Sequence, residues 1–190
     1  MTKSYITDKR FDRLDFNIEG LAKGDYETCE FHSCNFSGLD LCDTFFLECK
    51  FETCDFSLAK LKNTSFRDVK FKNCKQLGLR FDHCNKLLLS FSFDCCVLDF
   101  SSFYQLKLKN TIFKECKLHE VEFIESDLTN ANFHSCDLDR ARFENTILEG
   151  ADFRSAYNFS IDPEINRIRK AKFSIGGIGG LLDKYNIVIE

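Results

Sequence analysis

Between Leu118 and Phe153 every fifth residue is Leu or Phe: Leu118, Phe123, Leu128, Phe133, Leu138, Phe143, Leu148 and Phe153. An α-helix repeats every 3.6 residues and a strand every two, so a period of five fits neither. The frame runs far beyond this stretch. From Phe93 to Phe153 all 13 frame positions are Phe or Leu, and from Phe11 to Phe91 14 of 17 are. The exceptions are Tyr26, Gln76 and Lys86, and the two blocks are out of phase by two residues near Phe91 and Phe93. Periodicity this long marks a repeat architecture.

The position two before each frame residue is small. It reads Cys29, Cys34, Thr44, Cys49, Cys54 and Ala59 early on, and Cys116, Val121, Ser126, Ala131, Cys136 and Ala141 later. Residues two apart in an extended segment point to the same side. Each five-residue unit therefore sends one small and one large side chain inward, and its three polar residues outward. Like residues then recur at twenty: Leu21, Leu41 and Leu61; Cys34, Cys54 and Cys74; Cys96, Cys116 and Cys136. Successive coils of a solenoid place equivalent positions about 4.8 Å apart, which favours like on like. Twenty residues in units of five make four sides. The sequence predicts an all-β, four-sided parallel β-solenoid of about seven coils, roughly 35 Å long at that spacing. Phe31, Phe51, Phe71, Phe113, Phe133 and Phe153 are its predicted core stack.

The units "ANFHS", "ARFEN" and "ADFRS" resemble those of pentapeptide repeat proteins, over about residues 9–157. The resemblance implies a right-handed quadrilateral β-helix. The organisation expected is a lead-in at 1–8, a β-helix at 9–157 with an irregularity at 76–93, and a cap and dimerisation segment at 158–190. At the irregularity, Gln76 and Lys86 break the inward frame, and a corner bulge or short loop would absorb the two extra residues.

Eleven Cys in a chain whose N-terminus has no apolar signal core suggest a reduced, cytoplasmic protein. No apolar run is long enough for a membrane span, and no membrane association is expected. Nine of the Cys occupy the small inward position; only Cys42 and Cys95 do not. Smallness is the requirement there, so these thiols are read as packing residues. No zinc-ligand spacing, phosphate loop or nucleophile elbow occurs. The four His fall mostly at outward positions. No catalytic, metal or cofactor site is expected, and the chain is read as non-enzymatic.

The repeats are expected to stop after Ala156. Asp162-Pro163 suits a helix or turn start. The "GGIGG" at 176–180 reads as a flexible turn, "LLDKY" as one or two helical turns, and "NIVIE" as a short strand. Ile175, Ile178, Leu181, Leu182, Tyr185, Ile187, Val188 and Ile189 make this end apolar. A solenoid end needs a cap, and an apolar one suits a two-fold dimer. Asp162-Pro163, Asn166-Arg167-Ile168, Leu181-Leu182 and Ile187-Val188-Ile189 resemble the tails of a subgroup, the Qnr-type quinolone-resistance proteins and the immunity protein of a gyrase-poisoning microcin. That resemblance implies a dimer, through this tail, that imitates duplex DNA and binds DNA gyrase or topoisomerase IV. The long loops of the Qnr-type pattern are missing here.

Charge is segregated along the chain. Residues 56–86 carry 2 acids and 8 bases, whereas residues 118–160 carry 9 acids and 3 bases. Dimerising next to the acidic block would concentrate negative charge at the centre of a rod and attract a basic DNA-binding surface. The predicted partner-binding acids are Glu120, Glu122, Glu125, Asp127, Asp137, Asp139, Glu144, Glu149 and Asp152. The basic belt argues against uniform mimicry, but its aromatics point inward, so direct nucleic-acid binding is not expected. An adaptor solenoid with an unrelated protein partner is the alternative.

Overall fold

The computed structural model describes residues 4–188. Its strands are three or four residues long because each side of the shaft turns a corner after five. They are β1 (Ser4–Thr7), β2 (Arg10–Asp12), β3 (Gly24–Glu27), β4 (Glu30–His32), β5 (Phe45–Leu47), β6 (Lys50–Glu52), β7 (Ser65–Arg67), β8 (Val69–Lys72), β9 (Phe91–Asp94), β10 (Ile112–Lys114) and β11 (Asn132–His134). Every pairing is parallel. β2, β4, β6, β8, β9, β10 and β11 build a first face, and β1, β3, β5 and β7 part of a fourth. Isolated bridges such as Asp15↔Asn35 and Lys117↔Asp137 build a second face, and Asp40↔Lys60, Ser102↔Glu122 and Glu122↔Arg142 a third. Register advances by twenty, as in Phe31↔Phe51.

The corners explain why a polar residue follows each inward pair. At most corners one residue takes a left-handed conformation, and among the described residues 26 non-glycine residues have positive φ. That backbone is unfavourable for L-residues, with Asn and Asp the most tolerant. It turns the corner N–H along the shaft, where it is satisfied by the next coil. Thr28 N–H, for example, donates to Leu47 O at 2.9 Å and Glu48 N–H to Arg67 O at 2.8 Å.

Inside, the large residues form columns. Nine rings stack on the first face: Phe11, Phe31, Phe51, Phe71, Phe93, Phe113, Phe133, Phe153 and Phe173, with centroids 4.7–5.3 Å apart. The six predicted core rings belong to this column. Rings on adjacent faces meet edge-on, as Phe51 and Phe56 do at 83°, and so do rings on opposite faces, as Phe133 and Phe143 do at 84°. Offset-stacked and edge-to-face pairs are the two arrangements the aromatic quadrupole favours. The nine inward Cys are buried, whereas Cys42 is half-exposed and Cys95 exposed. Burial pushes the Cys49 thiol up to about 12, so it is an inert filler.

Residues 9–157 make about seven turns, but the ladder exceeds them at both ends. β1 pairs with β3, and Ile6 packs on the core in the column that Tyr26, Phe46 and Phe66 continue. After an irregular side in which Phe159 and Ile161 turn inward, the bridges Ile147↔Arg167 and Asp152↔Lys172 resume the shaft. Asn166 and Ile168, then Ala171 and Phe173, are small–large pairs in which Asn and Ile disguise the frame. The coils thus run from Ser4 to Phe173, beyond the expected limits at 9 and 157.

The phase shift also differs from expectation. Gln76 stays inward and is fully buried. The two extra residues lie between Asn85, whose N–H still bonds Thr64 O, and Ser90, whose N–H bonds Phe66 O. Lys86, Leu87 and Leu88 leave the frame and project outward.

The cap is two 3₁₀ segments, Ile175–Leu181 and Asp183–Tyr185. The glycine run is not a flexible turn. A Cβ on Gly180 would stand 2.2 Å from the Phe159 carbonyl oxygen and one on Gly177 3.1 Å from its ring. Glycine is what lets the segment lie on Phe159, where Gly180 O accepts the Ile161 N–H at 2.8 Å. Residues 186–188 form no strand; Ile189 lies outside the described residues.

Candidate binding surfaces and family membership

The nine predicted partner-binding acids ring the shaft instead of sharing a face. By the rungs they occupy, Asp152 is on the first face, Asp137 on the second, Glu122 on the third and Asp127 on the fourth. Asp139, Glu144 and Glu149 lie two residues past the second-, third- and fourth-face rungs at 137, 142 and 147, where their carbonyls accept the N–H of Glu120, Glu125 and Asn130. Glu120 and Glu125 are left-handed corner residues. The five-residue period causes this, since consecutive units rotate by a quarter turn. Fewer than two coils separate Glu120 from Asp152, so the acids form a collar.

Each collar carboxylate has a partner. Arg140 contacts Glu120 at 3.3 Å and Asp139 at 3.7 Å. Arg142 bridges Glu122 at 3.2 Å and Glu144 at 2.8 Å. Arg167 reaches Glu149, Arg154 reaches Asp152 and Lys109 reaches Asp127, at 2.6, 2.7 and 3.2 Å. Glu125 accepts from the Gln105 amide at 2.7 Å. Asp127, Asp137 and Asp152 also accept backbone N–H groups two residues on, holding their turns. Arg154 keeps the Asp152 carboxyl below the usual range. Most of these pairs link one coil to the next, and in such exposed pairs water and salt screen most of the attraction.

His119 was expected to be a solvated outward residue. Its Nε2 stands 2.9 Å from Asp137 and its Nδ1 3.9 Å from Asp99, so it links three coils. The Asp137 contact raises its pKa against the opposing effect of burial, and Asp99 adds to the rise.

The C-terminal cap exposes apolar surface. Ile175 is 92% and Val188 86% exposed, and Ile178, Tyr185 and Ile187 are about half exposed. Leu181 and Leu182 are half-buried. The segment is held by Lys184, which reaches Asp162 at 2.8 Å and Glu164 at 2.7 Å, and by the Tyr185 hydroxyl, which donates to Glu164 at 2.9 Å. Asn166 is buried in a small inward slot. Its amide donates to Phe143 O at 2.8 Å and its Oδ1 accepts the Thr146 N–H at 2.9 Å. The tail motif therefore closes the last coil and clamps the cap. A cavity of about 630 Å³ lies between cap and shaft, lined by Asp139, Tyr157, Asn158, Phe159 and Asp183 among others. Among the described residues no group of three or more His, Cys, Asp or Glu is placed to hold a metal ion, and no helix is long and apolar enough to cross a membrane.

Four faces, one small and one large inward residue per side, and a left-handed residue at most corners define a quadrilateral repeat solenoid. The chain belongs to the pentapeptide repeat family. A model described as "Pentapeptide repeat region" matches residues 86–156, and one described as "Pentapeptide repeats (8 copies)" matches residues 29–68. The two matches fall on either side of the phase shift and together span more than half of the chain. No curated protein matches the sequence. Among solved structures, trypsin-treated QnrB1, a plasmid-mediated fluoroquinolone resistance protein, is similar at 16% identity. That match covers 99% of this chain and 98% of QnrB1, with a TM-score of 0.61. HetL, a pentapeptide repeat protein involved in heterocyst differentiation regulation in the cyanobacterium Nostoc, matches at 14% identity. There the coverage is 90% of this chain and 87% of HetL, with a TM-score of 0.48.

Proposed function

We propose that this protein is a non-enzymatic, cytoplasmic binding rod. It pairs with a second copy through its C-terminal cap and engages a bacterial type II topoisomerase, gyrase or topoisomerase IV, through the acidic collar beside that cap. In this role it imitates duplex DNA and protects the enzyme from a poison, a quinolone or a peptide toxin. The observation that carries the reading is the cap itself, where five apolar side chains stand in solvent together at one end of the shaft. A two-fold interface there brings two collars together at the middle of a double-length rod. The match to QnrB1 along nearly the whole of both chains supports the shape, and the tail motif supports the subgroup. A ring of carboxylates suits a saddle that grips a rod, because duplex DNA also presents charge around its circumference.

The cations that pair with the collar favour a second reading, an adaptor solenoid whose partner is an unrelated protein. A gyrase supercoiling assay with purified protein, with and without a quinolone or peptide poison, separates the two. The topoisomerase reading predicts relief of poisoning or a change in supercoiling. No effect in either condition supports the adaptor.

A further inference from the structure

The most unusual rung of the shaft is on the fourth face. There the sheet of β1, β3, β5 and β7 stops, and pairing resumes only at Lys107↔Asp127. The missing rung is filled by residues 86–90, which carry the two extra residues. This segment is fixed. Leu87 N–H donates to Asn85 Oδ1 at 2.9 Å, the Ser90 hydroxyl to Asp68 at 2.8 Å, and Lys86 Nζ to Gln105 O at 3.4 Å. It nonetheless holds two large apolar side chains in solvent. Leu87 is 63% and Leu88 66% exposed, and Leu88 is in the left-handed region with φ 56°. Elsewhere on the shaft most such corners are polar, and Leu89, the third of the run, packs on the core.

Beside these leucines lies a groove of about 450 Å³, lined by Leu47, Arg67, Asp68, Leu88, Leu89 and Ser90. The Arg67 guanidinium sits over the Phe45 ring at 4.9 Å, and its buried Nε has no partner among the described residues. The rung beyond the loop carries Lys107 and Lys109, and Lys107 has no ion pair among the described residues. Residues 56–86, the coils that bear the groove, carry 8 bases against 2 acids. Of the other bases in these coils, Lys60 lies on the third face, Lys70 on the first and Lys75 on the second. The unmatched positive charge on the groove's own face is therefore that of Arg67 and Lys107, beside an Asp68 that already accepts the Ser90 hydroxyl. The collar acids, by contrast, are already matched with cations.

We infer that the groove between β5–β7 and the 86–90 loop is a docking site for an acidic amphipathic segment of another protein. Its apolar side chains would pack on Leu47, Leu87 and Leu88 while a carboxylate meets Arg67. Apolar anchoring with a charged rim is the usual anatomy of such sites. Planar Arg pairs with carboxylate in a fixed fork, and stacking on Phe45 preorganises it. Nucleic acid fits less well, because the rings of these coils point inward and leave no stacking platform. The inference does not depend on the topoisomerase reading, since none of the residues that line the groove is a collar acid or a cap residue.

A random peptide library displayed on phage, panned against the immobilised full-length protein, tests it. The expected result is enrichment of peptides combining Asp or Glu with Leu, Ile or Phe. Synthetic copies should bind the wild type and lose at least tenfold in affinity for Leu87→Ser/Leu88→Ser and for Arg67→Gln. The first variant changes only exposed side chains, so an unchanged circular dichroism melt confirms its fold. No enrichment over the bare support, enrichment of neutral or basic peptides, or equal binding to the variants overturns the proposal. So does tight binding of fluorescent duplex or single-stranded DNA that the same substitutions abolish, which would make the groove a nucleic-acid site.

Discussion

Gln76 sits where a leucine or phenylalanine belongs. It is fully buried, and neither Oε1 nor Nε2 finds a partner among the described residues. Its neighbours on the second face, Phe56 and Leu98, are buried apolar side chains. The backbone is satisfied independently of the side chain: Gln76 N–H donates to Val97 O at 2.8 Å and Gln76 O accepts the Ser101 hydroxyl at 2.7 Å. Gln76→Leu therefore removes an unsatisfied amide and keeps the rest. A buried polar group without a partner costs about 1–3 kcal/mol. Relief of about 2 kcal/mol in a domain of this size corresponds to a rise in Tm of about 4–8 °C. Gln76→Ala removes the same polar atoms but leaves a void, so it should fall below Gln76→Leu. Thermal melts followed by far-ultraviolet circular dichroism read both. A Tm for Gln76→Leu equal to or below the wild type would refute the view that this side chain is an uncompensated cost in the stack.

Full-length protein should run near twice its 22.1 kDa mass in light scattering, and Ile175→Asp/Val188→Asp should run as a folded monomer because both side chains are exposed. Gly180→Ala should loosen the cap, since its Cβ would clash with the Phe159 carbonyl, and should lower both Tm and dimer content. A thiol reagent should modify two Cys quickly in the native protein, Cys42 and Cys95, and all eleven once it is unfolded; Cys116→Ala should cost only stability. His119 should titrate above its unfolded value of about 6.5 in a proton NMR titration. Because that folded pKa is raised, the His119 link is fully present below the unfolded pKa and is lost as pH climbs through the folded one. Stability should therefore decline over that window in the wild type and not in His119→Gln.

Much of this architecture is legible in the sequence because a single constraint is repeated. Each coil must present one small and one large inward residue per side, so the Phe31–Phe153 column and the buried Cys follow from counting by five and twenty. The reading fails where chemistry other than size fills a slot. Asn166 occupies a small position by hydrogen bonding, and Ile6 and Ile168 occupy large ones outside a Phe/Leu rule, so both ends of the shaft extend past the expected limits. The glycine run is opaque because its role is a close approach of Gly177 and Gly180 to Phe159, which no local pattern links to them. The collar was visible as charge but not as a ring. Spacing along the chain becomes rotation around the shaft only once four sides are drawn. The 86–90 loop is visible as a phase shift, but no local pattern tells which of its three leucines stand in solvent and which packs on the core.

The central claim, that the collar binds a type II topoisomerase, is tested most directly by surface plasmon resonance with immobilised gyrase and, in parallel, topoisomerase IV. The wild-type dimer should bind, weaken as salt rises, since exposed charges are screened within about 8–10 Å, and be displaced by duplex DNA. A variant reversing Glu120, Glu122, Glu125, Asp139 and Glu144 to Lys should keep its fold and lose more than tenfold in affinity, far more than any single reversal. Absence of salt-sensitive binding to either enzyme, or binding that survives the fivefold reversal, would contradict the account.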